Sequence, residues 1–275
     1  MARAATVNKL FLLTKTDIPF NEAQVIIHQP SIKELSLIGE TALLTSCDAI
    51  TRNYKALNID GVEELDKLSN FEIFMLIINQ KTEQNKFIRE CISKLLFLIF
   101  PIYKPAITPR ALILQEHCDD GKNIMHMIDV TNFDIFSNII WDMFCMAELK
   151  GQSKEYNPAG DRARAIIAKI EEGRRKREKL RGKEGSNETK SIFARYMSVL
   201  AVGEHKDLNE LANYSMYQLF EEFKRFQMKE EFDYTFQAKL AGATNMKDAD
   251  DWMDDIQPGS RKKEIQGDDK ALTIA

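Results

Sequence analysis

The chain has 275 residues, with 38 Lys and Arg against 42 Asp and Glu for a net charge of -4, and is 44% hydrophobic and 29% charged. That balance excludes the disordered and membrane-embedded classes and gives no whole-chain attraction for polyanions, so any nucleic-acid contact has to be local. The length allows one large domain or two small ones, each able to bury a core.

Four cysteines, Cys47, Cys91, Cys118 and Cys145, lie in the first part of the chain without a CxxC pair. They predict reduced thiols in an intracellular compartment. The opening MARAATVNKLFLLTKTD lacks the apolar core and cleavage site of an export signal. The most apolar segment, CISKLLFLIFPIY, carries Lys94 and is stopped by Pro101, well short of the roughly 20 residues a membrane-spanning helix needs. The expectation is a cytoplasmic protein without membrane contact.

The first elements are two apolar runs, Leu10 to Leu13 and Val25 to Ile27, separated by polar residues and Pro19. They predict two short strands, or a strand and an extended arm. Ser31 with Glu34 three residues later has the form of a capping box, and Ile32, Leu35 and Ile38 follow at helical spacing. Gly39 can end that helix. From about Asp60 to Phe100 two helical segments follow, dense enough in apolar residues to be core helices. Leu112 to Leu114 and Ile124 to Ile128 flank an Asp-Asp-Gly-Lys-Asn turn, a β-hairpin signal. Phe133, Phe136, Ile140 and Phe144 then recur on one helical face.

The expected class is α+β and mostly helical, with a small antiparallel sheet in an N-terminal domain over 1–150. A charged helical linker over 151–190 follows, with seven basic residues and one acid between Arg174 and Lys183. Such a run is read as a solvated face, since it lacks the interleaved aromatics of a nucleic-acid contact. An all-helical module over 191–257 has Leu219, Phe220, Phe223 and Phe226 as an apolar stripe. The polar stretch 258–275 reads as a flexible tail.

Chemistry is sparsely signalled. His117, Cys118 and His126 with Asp119 and Asp120 form the one metal-like cluster, but the spacing fits no standard zinc site. Adjacent strand residues also face opposite ways. No GxSxG elbow or phosphate-binding Gly-rich loop is present. The acidic stretch KDADDWMDDI lacks the Gly and terminal Glu of a calcium loop. His28 stands before Gln29 and Pro30 at a helix entry, where extended backbone and the Ser31 cap account for it without catalysis. The expectation is a protein that is not an enzyme and takes no cofactor or metal.

Two stretches carry a family likeness. IIHQPSIKELSLIGE, from Ile26 to Glu40 and including His28, Gln29, Pro30, Gly39 and Glu40, resembles an N-terminal signature of the phage tail assembly chaperones. These proteins are encoded just before the tape-measure gene of long-tailed phages. The stretch from Asn213 to Ile256 is similar to their C-terminal part, with Tyr-Gln-Leu leading to a Leu-Ala-Gly-Ala break and a Trp-bearing acidic helix. The resemblance implies a non-enzymatic protein of the infected cell that binds the aggregation-prone tape-measure protein while the tail tube polymerises around it. Partners so implied are the tape-measure protein and the tube protein; self-association is left open.

Chaperone work calls for adaptable, Met-bearing apolar surface. NIMHMID, WDMFCM and DWMDDI are the candidate stretches, and Tyr217, Leu219, Phe223, Trp252, Met253 and Ile256 the candidate partner-binding residues. The competing readings are a virion tail or head-to-tail component, a nucleic-acid-binding accessory protein acting through Arg174 to Lys183, and an enzyme without a recognisable site.

Overall fold

Polar side chains placed one residue ahead of apolar runs set most of the helix starts. The computed structural model describes residues 7–54, 67–117, 123–151, 191–242 and 252–253. Its elements, in chain order, are α1 (Lys9–Thr14), β1 (Ile18–Phe20), β2 (Val25–Ile27), α2 (Ile32–Ile38), α3 (Glu40–Thr51), α4 (Asn70–Asn79) and α5 (Glu83–Ile99). They continue with β3 (Tyr103–Ile107), β4 (Leu112–His117), β5 (Asn123–Ile128), α6 (Phe133–Met143), α7 (Met146–Gly151), α8 (Ile192–Gly203), α9 (Leu208–Ala212) and α10 (Met216–Leu240). The fold is α+β and mostly helical.

Ser31, Ser69 and Ser215 each head a complete capping box, with Glu34, Glu72 and Gln218 reaching back to the cap. Gly39, at φ 83°, closes α2 and opens α3 in one residue, a backbone conformation that suits glycine. The run Leu10 to Leu13 is helical rather than extended. Asn8 accepts from the Leu10 amide and Lys15 closes the turn in the left-handed region, so capping at both ends outweighs the strand-like composition. The strand that pairs with Val25–Ile27 lies later, at Ile18–Phe20, with Pro19 tolerated in a two-stranded ribbon.

The hairpin forms as its sequence indicates, Leu112 opposite Ile128 through His117 opposite Asn123. A third strand, β3, pairs on the far side of β4 to give the order β3-β4-β5. The turn at 118–122, the basic run Arg174–Lys183 and the tail beyond Met253 lie outside the described residues.

The core is one continuous cluster. Phe20, Phe71, Phe74, Phe100, Phe133 and Phe136 meet at its centre, with Phe136 stacked 6.1 Å from both Phe20 and Phe100. Phe136, Ile140 and Phe144 are buried as their spacing requires. The C-terminal helices belong to the same cluster through Phe193, Tyr196, Leu200, Leu211, Met216, Leu219 and Phe220. Gly203 at the end of α8 lies flat against the Phe226 ring of α10, where any β-carbon would collide. Cys47, Cys91 and Cys145 are buried and unbridged, while Cys118 lies outside the described residues.

Candidate partner-binding surface

The stretch from Ile26 to Glu40 is a structural junction. The His28 amide donates to the Ile99 carbonyl at 2.8 Å, tying β2 to the end of α5. The ring of His28 lies between Asp17 (Nδ1 to Oδ1 3.0 Å) and Glu34 (Nε2 to Oε1 3.7 Å). Gln29 is fully buried, and its amide donates to the carbonyls of Phe11 (2.9 Å) and Thr16 (2.5 Å), fixing the turn after α1. Pro30 is buried beside it. Burial alone would push the Glu34 carboxyl up, but hydrogen bonds from Ser31 and the charges of His28 and Lys15 outweigh it and hold the group below its ordinary value.

This junction also holds the C-terminal helices. Ser31 and Ser215, the heads of two capping boxes, form an antiparallel bridge, and the Ile32 amide donates to the Tyr214 carbonyl at 2.8 Å. Gln218 donates to the Leu13 carbonyl at 2.7 Å and Lys15 to the Asn213 carbonyl at 2.8 Å. Glu40 accepts from the Ile192 amide at 2.9 Å, at the start of α8. Gln29, Pro30, Gly39 and Glu40 thus serve as framework at this junction.

The candidate partner residues separate into three groups. Leu219 is fully buried and Phe223 stacks on Tyr196 with ring centroids 3.8 Å apart, so both serve the core. Leu219 cannot meet a partner unless the fold opens, whereas Phe223 is partly buried. Tyr217 is half-buried in a cleft with Asp142, Cys145, Glu148, Phe220, Glu221 and Lys224. Burial, reinforced by the surrounding carboxylates, raises the Tyr217 phenol and the Cys145 thiol well above their ordinary values. Trp252 and Met253 are exposed, and the Trp252 carbonyl accepts from Arg225 of α10 at 2.5 Å. Ile256 lies outside the described residues.

Burial also raises the Glu148 carboxyl, and the nearby Glu221 and Asp142 add to it. A carboxyl whose folded value is raised contributes stability that is full below the ordinary carboxylate range and is lost as pH rises through the raised value. Glu148→Gln is therefore expected to raise the urea midpoint at neutral pH and to leave it unchanged near about pH 4, where the carboxyl is mostly protonated in both states. A variant no more stable at neutral pH than the parent chain would show that Glu148 is solvated in the folded state.

Sequence reasoning missed the outer half of α10. The core-facing stripe of that helix, Met216, Leu219, Phe220, Phe223 and Phe226, ends near its middle. Beyond it Phe232, Phe236 and Leu240 follow at four-residue intervals; at 100° per residue Phe232 lies about opposite the first stripe, and each step drifts by about 40° back toward the side of Phe226. Phe236 is 56% and Leu240 74% exposed, and Tyr234 is exposed on the other side. The signal was present as this second four-residue spacing, displaced from the first.

The methionine-bearing stretches divide in the same way. Met143 and Met146 are core, while Met125, Met127 and Met253 are exposed. His126 and His117 stand on opposite faces of the hairpin, as their register requires, so they do not converge. Among the described residues no cluster of three metal-ligating side chains forms. No helix among them is long and apolar enough to cross a membrane.

Residues 187–257, which include α8, α9 and α10, match the model of the YomV second domain, a phage-derived family. Neither a curated protein nor a solved structure gives a significant match to the chain.

Proposed function

We propose that this protein is a non-enzymatic tail assembly chaperone, acting in the cytoplasm of the infected cell by holding the tape-measure protein until the tail tube forms around it. The observation that carries this reading is the apolar stripe Phe232, Phe236 and Leu240, half-buried at Phe232 and exposed at Phe236 and Leu240, within the very segment that matches a phage-derived domain. A long helix whose first half is anchored in a core and whose second half presents aromatics suits capture of an amphipathic helical segment of another chain. The resemblance of Ile26–Glu40 and Asn213–Ile256 to the tail assembly chaperones supplies the identity of the client.

Co-expression with the tape-measure protein of the same phage tests it. The client is expected to remain soluble and to co-purify with this chain, and the chain is expected to be missing from purified particles by mass spectrometry. A client that stays insoluble and unbound would overturn the proposal. Recovery of the chain from particles in many copies would instead favour a structural component of the tail.

A further inference from the structure

The three-stranded sheet has two edges, and they are built differently. Strand β3 carries Lys104 and Pro105, a charge and a residue without an amide donor, the usual means of keeping an edge from pairing with another chain. Strand β5, Asn-Ile-Met-His-Met-Ile, carries neither, and its register with β4 runs through six consecutive pairs without a bulge. No strand among the described residues pairs with its outer edge. Ile124, Met125 and Met127 are 48%, 62% and 52% exposed along it.

The sequence of this edge reads the same in both directions about His126: Ile-Met-His-Met-Ile. A two-fold axis through an antiparallel strand pair requires that kind of self-complementarity, because each residue must suit its mirror position in the other copy. Centred on His126, the pairing sets Met125 opposite Met127 twice and Ile124 opposite Ile128 twice. The four methionines then form one patch on the outward face of the sheet, beside Ile113 of β4, which is Met127's partner in register. His126 is already fixed, with its ring nitrogens 3.1 Å from the Ala23 carbonyl and 3.1 Å from Glu116. At the C-terminal end the Asn132 amide donates to the Met127 carbonyl at 3.0 Å, which leaves that oxygen a second lone pair.

We propose that β5 pairs with β5 of a second copy of this chain, antiparallel about His126, joining two three-stranded sheets into one. A strand pair with four methionines buries less than the roughly 800 Å² per partner of a standard stable interface, so the dimer is a weak, reversible one. The pairing uses none of Phe232, Phe236 and Leu240, the stripe assigned to the client, so either proposal can fail while the other stands.

Sedimentation of the full chain over a concentration series is the test. A monomer–dimer equilibrium is expected, with Met125→Lys/Met127→Lys weakening it at least about tenfold, because like charges then face each other at both pairs. Both positions are exposed, and an unchanged circular dichroism spectrum verifies the fold of the variant. Register is read separately by oxidising a mixture of Met125→Cys and Met127→Cys chains. The mixture should cross-link more than either variant alone, above the background of the unsubstituted chain. A chain still monomeric at about 100 µM, a lysine variant that dimerises as tightly as its parent, or a mixture that cross-links no better than its components would each overturn the proposal.

Discussion

Phe136→Ala is expected to lower folding stability by about 3–5 kcal/mol, the range for removing a fully buried phenylalanine from a core that cannot close over the gap. The ring is fully buried and touches three others: Phe20 of β1 and Phe100 at the end of α5, both at 6.1 Å, and Phe133 at 6.4 Å. Its loss opens a cavity where the ribbon β1–β2, the helix α5 and the helix α6 meet, and none of the three can move inward without pulling on the other two. Equilibrium denaturation in urea measures the effect. The exposed Phe97, on the same helix as the core residues Leu95, Leu96 and Ile99, supplies the contrast. Phe97→Ala should stay within about 0.5 kcal/mol. Equal losses at the two positions would mean that the aromatic cluster is not the centre of the core.

On the proposed chaperone reading, Phe236→Asp/Leu240→Asp is expected to reduce tape-measure binding at least about thirtyfold, as the loss of one or two anchor residues at the centre of an interface would. Stability should hardly change, since both side chains are exposed in the unbound chain. The separation of the two readouts matters. Phe223→Ala would also weaken binding if the client uses this helix, but only by loosening the stack on Tyr196 that anchors α10. Removing residues 191–275 altogether would strip Leu200, Leu211, Met216 and Leu219 from the shared core, so lost binding would not locate the site. Titration calorimetry or a capture assay on the double variant, with melting followed in parallel, distinguishes contact from collapse. Undiminished binding by a normally folded variant would place the client elsewhere.

Local signals in the sequence were read well where the chemistry is local. Ser31 with Glu34 and Gly39 act within a few residues, and the helix start and helix end lie where those residues put them, while the apolar runs at Leu112–Leu114 and Ile124–Ile128 pair as strands. The misreading at Leu10–Leu13 has the same origin. Its apolar run favours a strand, but Asn8 and Lys15 at its ends decide for a helix, and their effect is visible only when both caps are weighed with the run.

Long-range arrangements were less legible. Gln29 reads as an ordinary polar residue before a proline, and nothing in its neighbourhood reveals that it holds the Phe11 and Thr16 carbonyls from a fully buried position. Leu219 and Phe223 read equally well as contact surface or as core, because an apolar stripe does not say what covers it. In the structure the core covers Leu219 and packs against the partly buried Phe223, and the exposed Phe236 and Leu240 follow one half-helix later.

The bridge between Ser31 and Ser215 sets an order of events during synthesis. The Ile32 amide is made 182 residues before its partner, the Tyr214 carbonyl. Until then water must serve that amide, and the apolar side chains that α8 and α10 cover wait with it. A chain cut short before Tyr214 therefore leaves the Ile32 amide without its partner and the apolar faces under α8 and α10 uncovered.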